Sequence, residues 1–202
     1  LEGQGRNAAT TSGKAWSPRP HRAGCSRARF STYAMTIEHM DNIFNTTVGF
    51  KGLGLDEPIL RAIDRLGFEH PTHVQAELVP VALAGRDILA QSKTGTGKTA
   101  AFASFGFCKA HAAAFALPIL QSMLDDPVPF GAIILTPTRE LAIQVARETR
   151  ELGQFTKHKI LPVYGGQSMR IQADKLENGP TIIVGTPGRV MDFHRRGLLP
   201  YD

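Results

Sequence analysis

The chain has 202 residues, of which 42% are hydrophobic and 20% charged, values that fit one globular domain and exclude two large ones. Its two cysteines, Cys25 and Cys108, stand far apart and in no C-x-x-C spacing, which argues against a disulfide framework or a zinc site and fits a reducing compartment; no apolar run reaches the ~18 residues of a membrane span. The net charge of +5 belongs to residues 1–35, which hold six of the 23 basic residues and one of the 18 acidic ones, so the balanced remainder gives no global sign of a nucleic-acid partner.

Residues 1–35 are rich in Gly, Ser, Arg and Pro and show no apolar periodicity, so they are expected to be disordered. Two readings of this stretch stay open. It has the Arg- and Ser-rich, acid-poor composition of a mitochondrial transit peptide, with Arg27-Ala28-Arg29-Phe30-Ser31 as a processing region. Alternatively it precedes a true start at Met35 or Met40, and Pro18 and Pro20 count against an amphipathic targeting helix. The expected division is a basic segment at 1–40, a helical region at 41–86 and an α/β domain at 87–202.

Asp56-Glu57-Pro58 predicts a helix start, with Asp56 as cap and Pro58 in the first turn. Ile59, Leu60, Ile63 and Leu66 give that helix one apolar face, and Gly67 ends it. Pro71-Thr72 opens a second helix through about Leu83. Asp87 to Gln91 is the first expected strand.

The next residues, Ser92 to Thr99, read S-K-T-G-T-G-K-T. A strand, a glycine loop and a helix start form the setting of a phosphate site. Gly95 and Gly97 let the backbone approach an anion without a Cβ in the way, and the amides of Thr96 to Thr99 point at it as at any helix N-terminus. Lys98 places an ammonium beside the β- and γ-phosphates, and the Thr99 hydroxyl can ligate Mg²⁺. Ser92 occupies the position that is Gly in the general G-x-x-x-x-G-K-[ST] pattern.

Ala100-Ala101-Phe102-Ala103 then recurs as Ala113-Ala114-Phe115-Ala116. On one helix, thirteen steps would turn the second copy ~220° from the first. Either one long helix faces the copies to different surfaces, or Ser104 to Ala112 bulges out at Gly106; an insertion around 104–112 is the favoured expectation.

Ala132 to Leu135 is an expected strand, Arg139 to Phe155 a helix, and Ile160 to Tyr164 a strand followed by Gly165-Gly166. Ser168 to Leu176 is a helix, Thr181 to Val184 a strand, Thr186 to Arg189 a turn, and Val190 to Arg196 a helix. Alternating strands and helices imply a parallel sheet covered on both faces, with its binding edge at the carboxyl ends of the strands.

From Phe50 to about Gly197 the sequence resembles the DEAD-box ATP-dependent RNA helicases. Phe50 and then Gly67 to Gln75, G-F-E-H-P-T-H-V-Q, look like the glutamine motif. The 92–99 loop looks like the family's Walker A motif, with Ser92 where the family usually has Ala. Pro137 to Ala142, P-T-R-E-L-A, matches motif Ia; Thr186-Pro187-Gly188-Arg189 matches motif Ib; Gly165-Gly166 fits the doublet between them.

The resemblance implies a RecA-like three-layer α/β domain with a mainly parallel sheet, the first of two lobes in a hydrolase driven by ATP and Mg²⁺. It implies ATP contacts from Phe50, Gln75, Ser92, Thr94, Gly95, Thr96, Gly97, Lys98 and Thr99, with Lys98 and Thr99 catalytic and Thr99 on the metal. A glutamine amide offers one donor and one acceptor, the complement of adenine N6 and N7, and Phe50 would stack on the base. The bland alternatives are a helix-surface Gln75 and a core Phe50.

Thr138, Arg139, Gly166, Thr186, Gly188 and Arg189 would grip the sugar-phosphate backbone of single-stranded RNA without reading sequence. The alternative for either arginine is an ion pair, as of Arg139 with Glu140 or Glu148, or a helix-start charge. The family's D-E-A-D carboxylates are expected beyond Asp202, since Asp125-Asp126 sits before Pro127 in a loop; the 202 residues alone are expected not to turn ATP over. The alternative is a non-catalytic nucleotide- and RNA-binding module or an inert gene fragment. An intracellular protein is expected, cytoplasmic by preference, with mitochondria as the alternative and no membrane partner.

Overall fold

In the computed structural model the described residues are 33–36, 44–91 and 106–200, with side chains described over 44–90 and 112–200. A 3₁₀ turn, Phe50–Leu53, precedes helices α1 (Glu57–Arg65) and α2 (His73–Leu83). Strands β1 (Tyr33–Thr36) and β2 (Ile88–Gln91) pair in parallel. Then come α3 (Gly106–Ser122), β3 (Ala132–Leu135), α4 (Arg139–Leu152), β4 (Ile160–Val163), α5 (Met169–Leu176), β5 (Ile182–Gly185) and α6 (Pro187–Arg195). The second sheet has the order β3-β5-β4 and is parallel throughout.

The period-2 alternation of strand side chains divides the core into two layers. On the central strand β5, Ile182 and Val184 face one cluster and Ile183 the other, and all four strand residues are buried. The first cluster joins Ile134 of β3 and Ile160 of β4 to α1, α2, α3 and α4 through Ile59, Ile63, Val79, Leu117, Leu120, Ala142 and Val145. The second joins Val163 to Leu176 of α5 and to Val190 and Phe193 of α6. Helices therefore cover both faces of β5, which is why it reads as a continuous apolar run. Gly185 ends this strand where a Cβ would come within 2.6 Å of Val163 Cγ2 and Val190 Cγ2.

Polar ties fix the helices at defined points. Asp56 caps α1 by position only; its N–H donates to Gln121 Oε1 and its Oδ2 accepts from Gln121 Nε2, both at 2.8 Å, which binds the start of α1 to the end of α3. Arg150, on α4, donates from Nε and Nη2 to the Ile160 carbonyl at 3.1 Å, and partial desolvation of its guanidinium pushes its pKa down. His158 Nε2 lies 2.9 Å from the Leu120 carbonyl.

Three expectations are corrected. Residues Tyr33–Thr36 form a strand inside the stretch expected to be disordered. Gly106 to Ala112 do not bulge; they are the first turns of α3, which buries Ala113, Ala114 and Ala116 while Phe115 is 38% exposed. Thr186 to Arg189 is not a separate turn: Thr186 is the N-cap of α6 and Pro187 its first residue, the position where a missing N–H costs nothing. The first copy of the Ala-Ala-Phe-Ala repeat and residues 1–32 lie outside the described residues.

Candidate functional site

Parallel strands in one register end at one edge. Leu135, Gly185 and Val163 are aligned across β3, β5 and β4, so the loops that follow emerge side by side. The ladder runs one step further on each side: Thr136 N–H donates to the Gly185 carbonyl at 2.9 Å, and Thr186 N–H to the Val163 carbonyl at 3.0 Å. Three segments more than 20 residues apart in sequence thus share one surface, and the helices that start there, α4, α5 and α6, turn their N-terminal amides to the same edge.

Arg139 is the first residue of α4 and is exposed. Its guanidinium carbon lies 5.1 Å from the centroid of the Tyr164 ring, within cation–π range. Its Nη1 passes so close to Gly166 that a Cβ there would sit 3.1 Å away, and Gly166 has φ +80°, the left-handed region. Arg189, from α6, reaches the same turn from the adjacent strand β5. Its Nη1 and Nη2 both donate to the Gln167 carbonyl at 3.2 Å, while the guanidinium carbon lies 5.7 Å from the Phe193 ring. A guanidinium has five N–H groups, so this grip occupies one edge of the fork and leaves three donors. Among the described residues neither arginine forms an ion pair with a carboxylate, which disposes of the ion-pair alternative for both.

The remaining predicted RNA contacts stand around these arginines. Thr138 caps α4: its Oγ1 accepts from the Leu141 N–H at 3.3 Å, a bond that leaves its hydroxyl hydrogen unspent. Thr186 makes no side-chain capping bond. Gly188 is exposed, with no atom within 4 Å of where a Cβ would be. All six predicted positions therefore meet at one strand-end edge. Two guanidinium groups, two hydroxyls and the helix-start amides at this edge are donors of the kind that bind phosphate oxygens.

The predicted ATP contacts fare differently. Ser92, Thr94, Gly95, Thr96, Gly97, Lys98 and Thr99 lie outside the described residues. Phe50 is 7% exposed and packs in the first core cluster with Leu53, Leu55 and Ile59. Gln75 is 3% exposed, which also excludes the helix-surface alternative. It is the third residue of α2 and closes a capping box: Thr72 Oγ1 accepts from the Gln75 N–H at 3.3 Å and Gln75 Oε1 accepts from the Thr72 N–H at 2.9 Å. The carboxamide is thus oriented by its own helix start, through one of the two lone pairs on its oxygen. Among the described residues no group of three or more His, Cys, Asp or Glu could hold a metal ion.

A profile of the DEAD/DEAH box helicases matches residues 72–200, which include the glutamine of the capping box and all three strand-end loops. The chain belongs to the DEAD/DEAH box helicase family. It is 40% identical over 150 residues to the DEAD-box ATP-dependent RNA helicase CshA of Bacillus subtilis, an overlap of 74% of this chain and 28% of that protein. CshA of Bacillus cereus is 43% identical over 150 residues, covering 74% and 26%. Among solved structures, a DEAD box protein of Methanococcus jannaschii aligns with a TM-score of 0.62 at 41% identity over 75% of this chain and 38% of that one. A hypothetical ATP-dependent RNA helicase of Sulfolobus tokodaii aligns at 0.57 and 31%, over 71% and 38%. The RecA-like three-layer fold expected from the motifs is the one found, and the chain spans about a quarter of the length of the curated relatives it matches.

Three residues of this DEAD-box edge carry no motif signal in the sequence: Tyr164, Gln167 and Gln172. Gln172 is 1% exposed. A signal of another kind exists for it, since Gln172 falls four residues before the buried Leu176 on a short amphipathic helix, a core-facing position occupied by an amide.

Proposed function

We propose that this chain is the RNA- and ATP-engaging first lobe of an ATP-dependent RNA helicase, and that its β3-β5-β4 edge is where single-stranded RNA lies. The observation that carries the reading is the convergence of Arg139 and Arg189 on the Gly165–Ser168 turn with no carboxylate partner at either. Contacts of this kind go to phosphate and sugar, so binding is blind to sequence and weakens with salt. The 92–99 loop is the proposed seat of the triphosphate, with Lys98 on the β- and γ-phosphates and Thr99 on Mg²⁺. Gln75, oriented by the capping box, is the proposed contact to the adenine edge. A cytoplasmic location is proposed with it.

Fluorescence anisotropy of the chain with a labelled oligouridylate tests the reading. Affinity should fall with salt at a log–log slope of about −0.7 per phosphate engaged. R139A/R189A should reduce that slope by about one to two contacts' worth, and K98A should remove any response to added ATP and Mg²⁺ while leaving nucleotide-free RNA binding intact. An affinity untouched by R139A/R189A would overturn the RNA assignment of this edge.

A further inference from the structure

The turn on which both arginines rest is not held by the backbone alone. Gln172 lies inside the fold at 1% exposure and spends its whole carboxamide on that turn. Its Oε1 accepts from the Tyr164 N–H at 3.1 Å; its Nε2 donates to the Tyr164 carbonyl at 3.0 Å and to Gln167 Oε1 at 3.0 Å. A carboxamide that bonds both the N–H and the C=O of one residue replaces a strand partner for it. Tyr164 directly follows Val163, the last residue of β4, so Gln172 continues the edge pairing where the sheet stops.

The two residues that Gln172 holds are the two that hold the arginines. Tyr164 carries the ring under the Arg139 guanidinium, and Gln167 carries the carbonyl that takes both Arg189 donors. Between them stand Gly165 and Gly166, which have no side chains to anchor the turn, and Gly166 is in the left-handed region. Without an internal tie, such a segment would sample several conformations and carry the arginines with it.

We propose that Gln172 is a positioning residue for the RNA-binding edge: a buried latch that fixes the Tyr164–Gln167 turn and with it the spacing of Arg139 and Arg189. This rests on the RNA reading of that edge. The amide is suited to the task because the turn presents one donor and two acceptors. A carboxylate at this position could satisfy the Tyr164 N–H but would face the Tyr164 carbonyl and Gln167 Oε1 with further acceptors, and a methionine would satisfy none of the three.

The test is a double-mutant cycle read by oligouridylate anisotropy on the full chain, with circular dichroism confirming that each variant is folded at the measuring temperature. Q172M should weaken RNA binding about fivefold, the factor that corresponds to one buried hydrogen bond's worth of positioning. In the R139A/R189A background the same substitution should change affinity by less than about 1.5-fold, because the groups through which it acts are gone. Q167A removes only one of the three latch bonds from a partly exposed side chain, keeps the carbonyl that takes Arg189, and should produce a smaller loss in the same direction; it serves as the second probe if Q172M does not fold. Equal losses from Q172M in both backgrounds, or no loss in the wild-type background from Q172M or Q167A, would overturn the positioning role alone. RNA affinity unchanged in R139A/R189A would overturn the RNA reading first and this inference with it, so the two failures are told apart by the arginine variant.

Discussion

The Gly165-Gly166 doublet invites a paired substitution, because its two members are alike in sequence and unlike in structure. Gly166 has φ +80°, where an L-residue is strained by about 1–2 kcal/mol, whereas Gly165 has no positive φ and nothing within 4 Å of where its Cβ would stand. Replacing either with Ala also restricts the unfolded chain, which stabilises by about 0.4–1 kcal/mol. The difference leaves G166A destabilised by about 1 kcal/mol and G165A neutral or slightly stabilised. The steric part of the G166A cost is small, because the neighbour at 3.1 Å is the tip of the Arg139 side chain, which can move. That movement is the functional part: it shifts a guanidinium off the Tyr164 ring. Urea titration followed by circular dichroism reads the first effect as a midpoint lowered by about 0.5 M, given a slope of about 2 kcal/mol/M. Oligouridylate anisotropy reads the second as weaker binding in G166A and unchanged binding in G165A. Indistinguishable variants in both assays would refute the claim that the left-handed residue and its contact with Arg139 set this turn.

Three further outcomes are expected. G185A should cost about 1–3 kcal/mol in urea titration, because its Cβ would meet Val163 Cγ2, Val190 Cγ2 and the Val163 carbonyl at 2.6–2.8 Å in the middle of the sheet. T72A should cost about 1 kcal/mol by opening the capping box of α2, and because Gln75 loses part of what fixes its backbone, ATP-linked changes in RNA affinity should weaken in parallel. His158 should make stability fall with acid: burial lowers its pKa more than the Leu120 contact raises it, and its buried Nδ1 has no partner for a second proton. A folded-state pKa below the usual 6.5 means the folded chain binds fewer protons than the unfolded one, so this contribution is complete above pH 6.5 and is lost as pH falls below it. The urea midpoint of the wild type should therefore drop between pH 7.5 and pH 5, and H158Q should show a smaller drop.

What can be read from the sequence follows from how local each determinant is. The apolar runs at 132–135 and 182–185, and the 3.6-residue spacing of Val145 and Leu152, are written in adjacent residues, and those elements lie where expected to within a residue or two, apart from the end of α4. The expected helix runs on to Phe155, but Gly153 ends α4 and Phe155 instead lies under Arg61, whose guanidinium carbon is 4.3 Å from its ring centroid. Thr186 to Arg189 resembles a turn because Pro and Gly are turn residues, yet Pro also favours a helix's first position, and the buried Val190 and Phe193 decide for the helix. The burial of Phe50 depends on Leu53, Leu55 and Ile59 closing around it, which no local pattern states.

The strand-end edge shows why its arrangement is foreseeable only in part. That Thr138-Arg139 and Thr186 to Arg189 should be neighbours follows from two parallel strands, since parallel strands end on the same side. That the arginines should meet over one turn does not follow, because it depends on β4 and β5 being adjacent and on β3 lying on the other flank of β5. Given that order, Arg139 must cross from the β3 side past β5 to reach Tyr164 beyond β4, and only a long side chain with a flat cationic end does so while keeping donors at the surface. Lysine in its place could supply the charge but not the stacking plane and the donor fork together. The residue type at 139 is thus set by the strand order as much as by the phosphate it is proposed to hold.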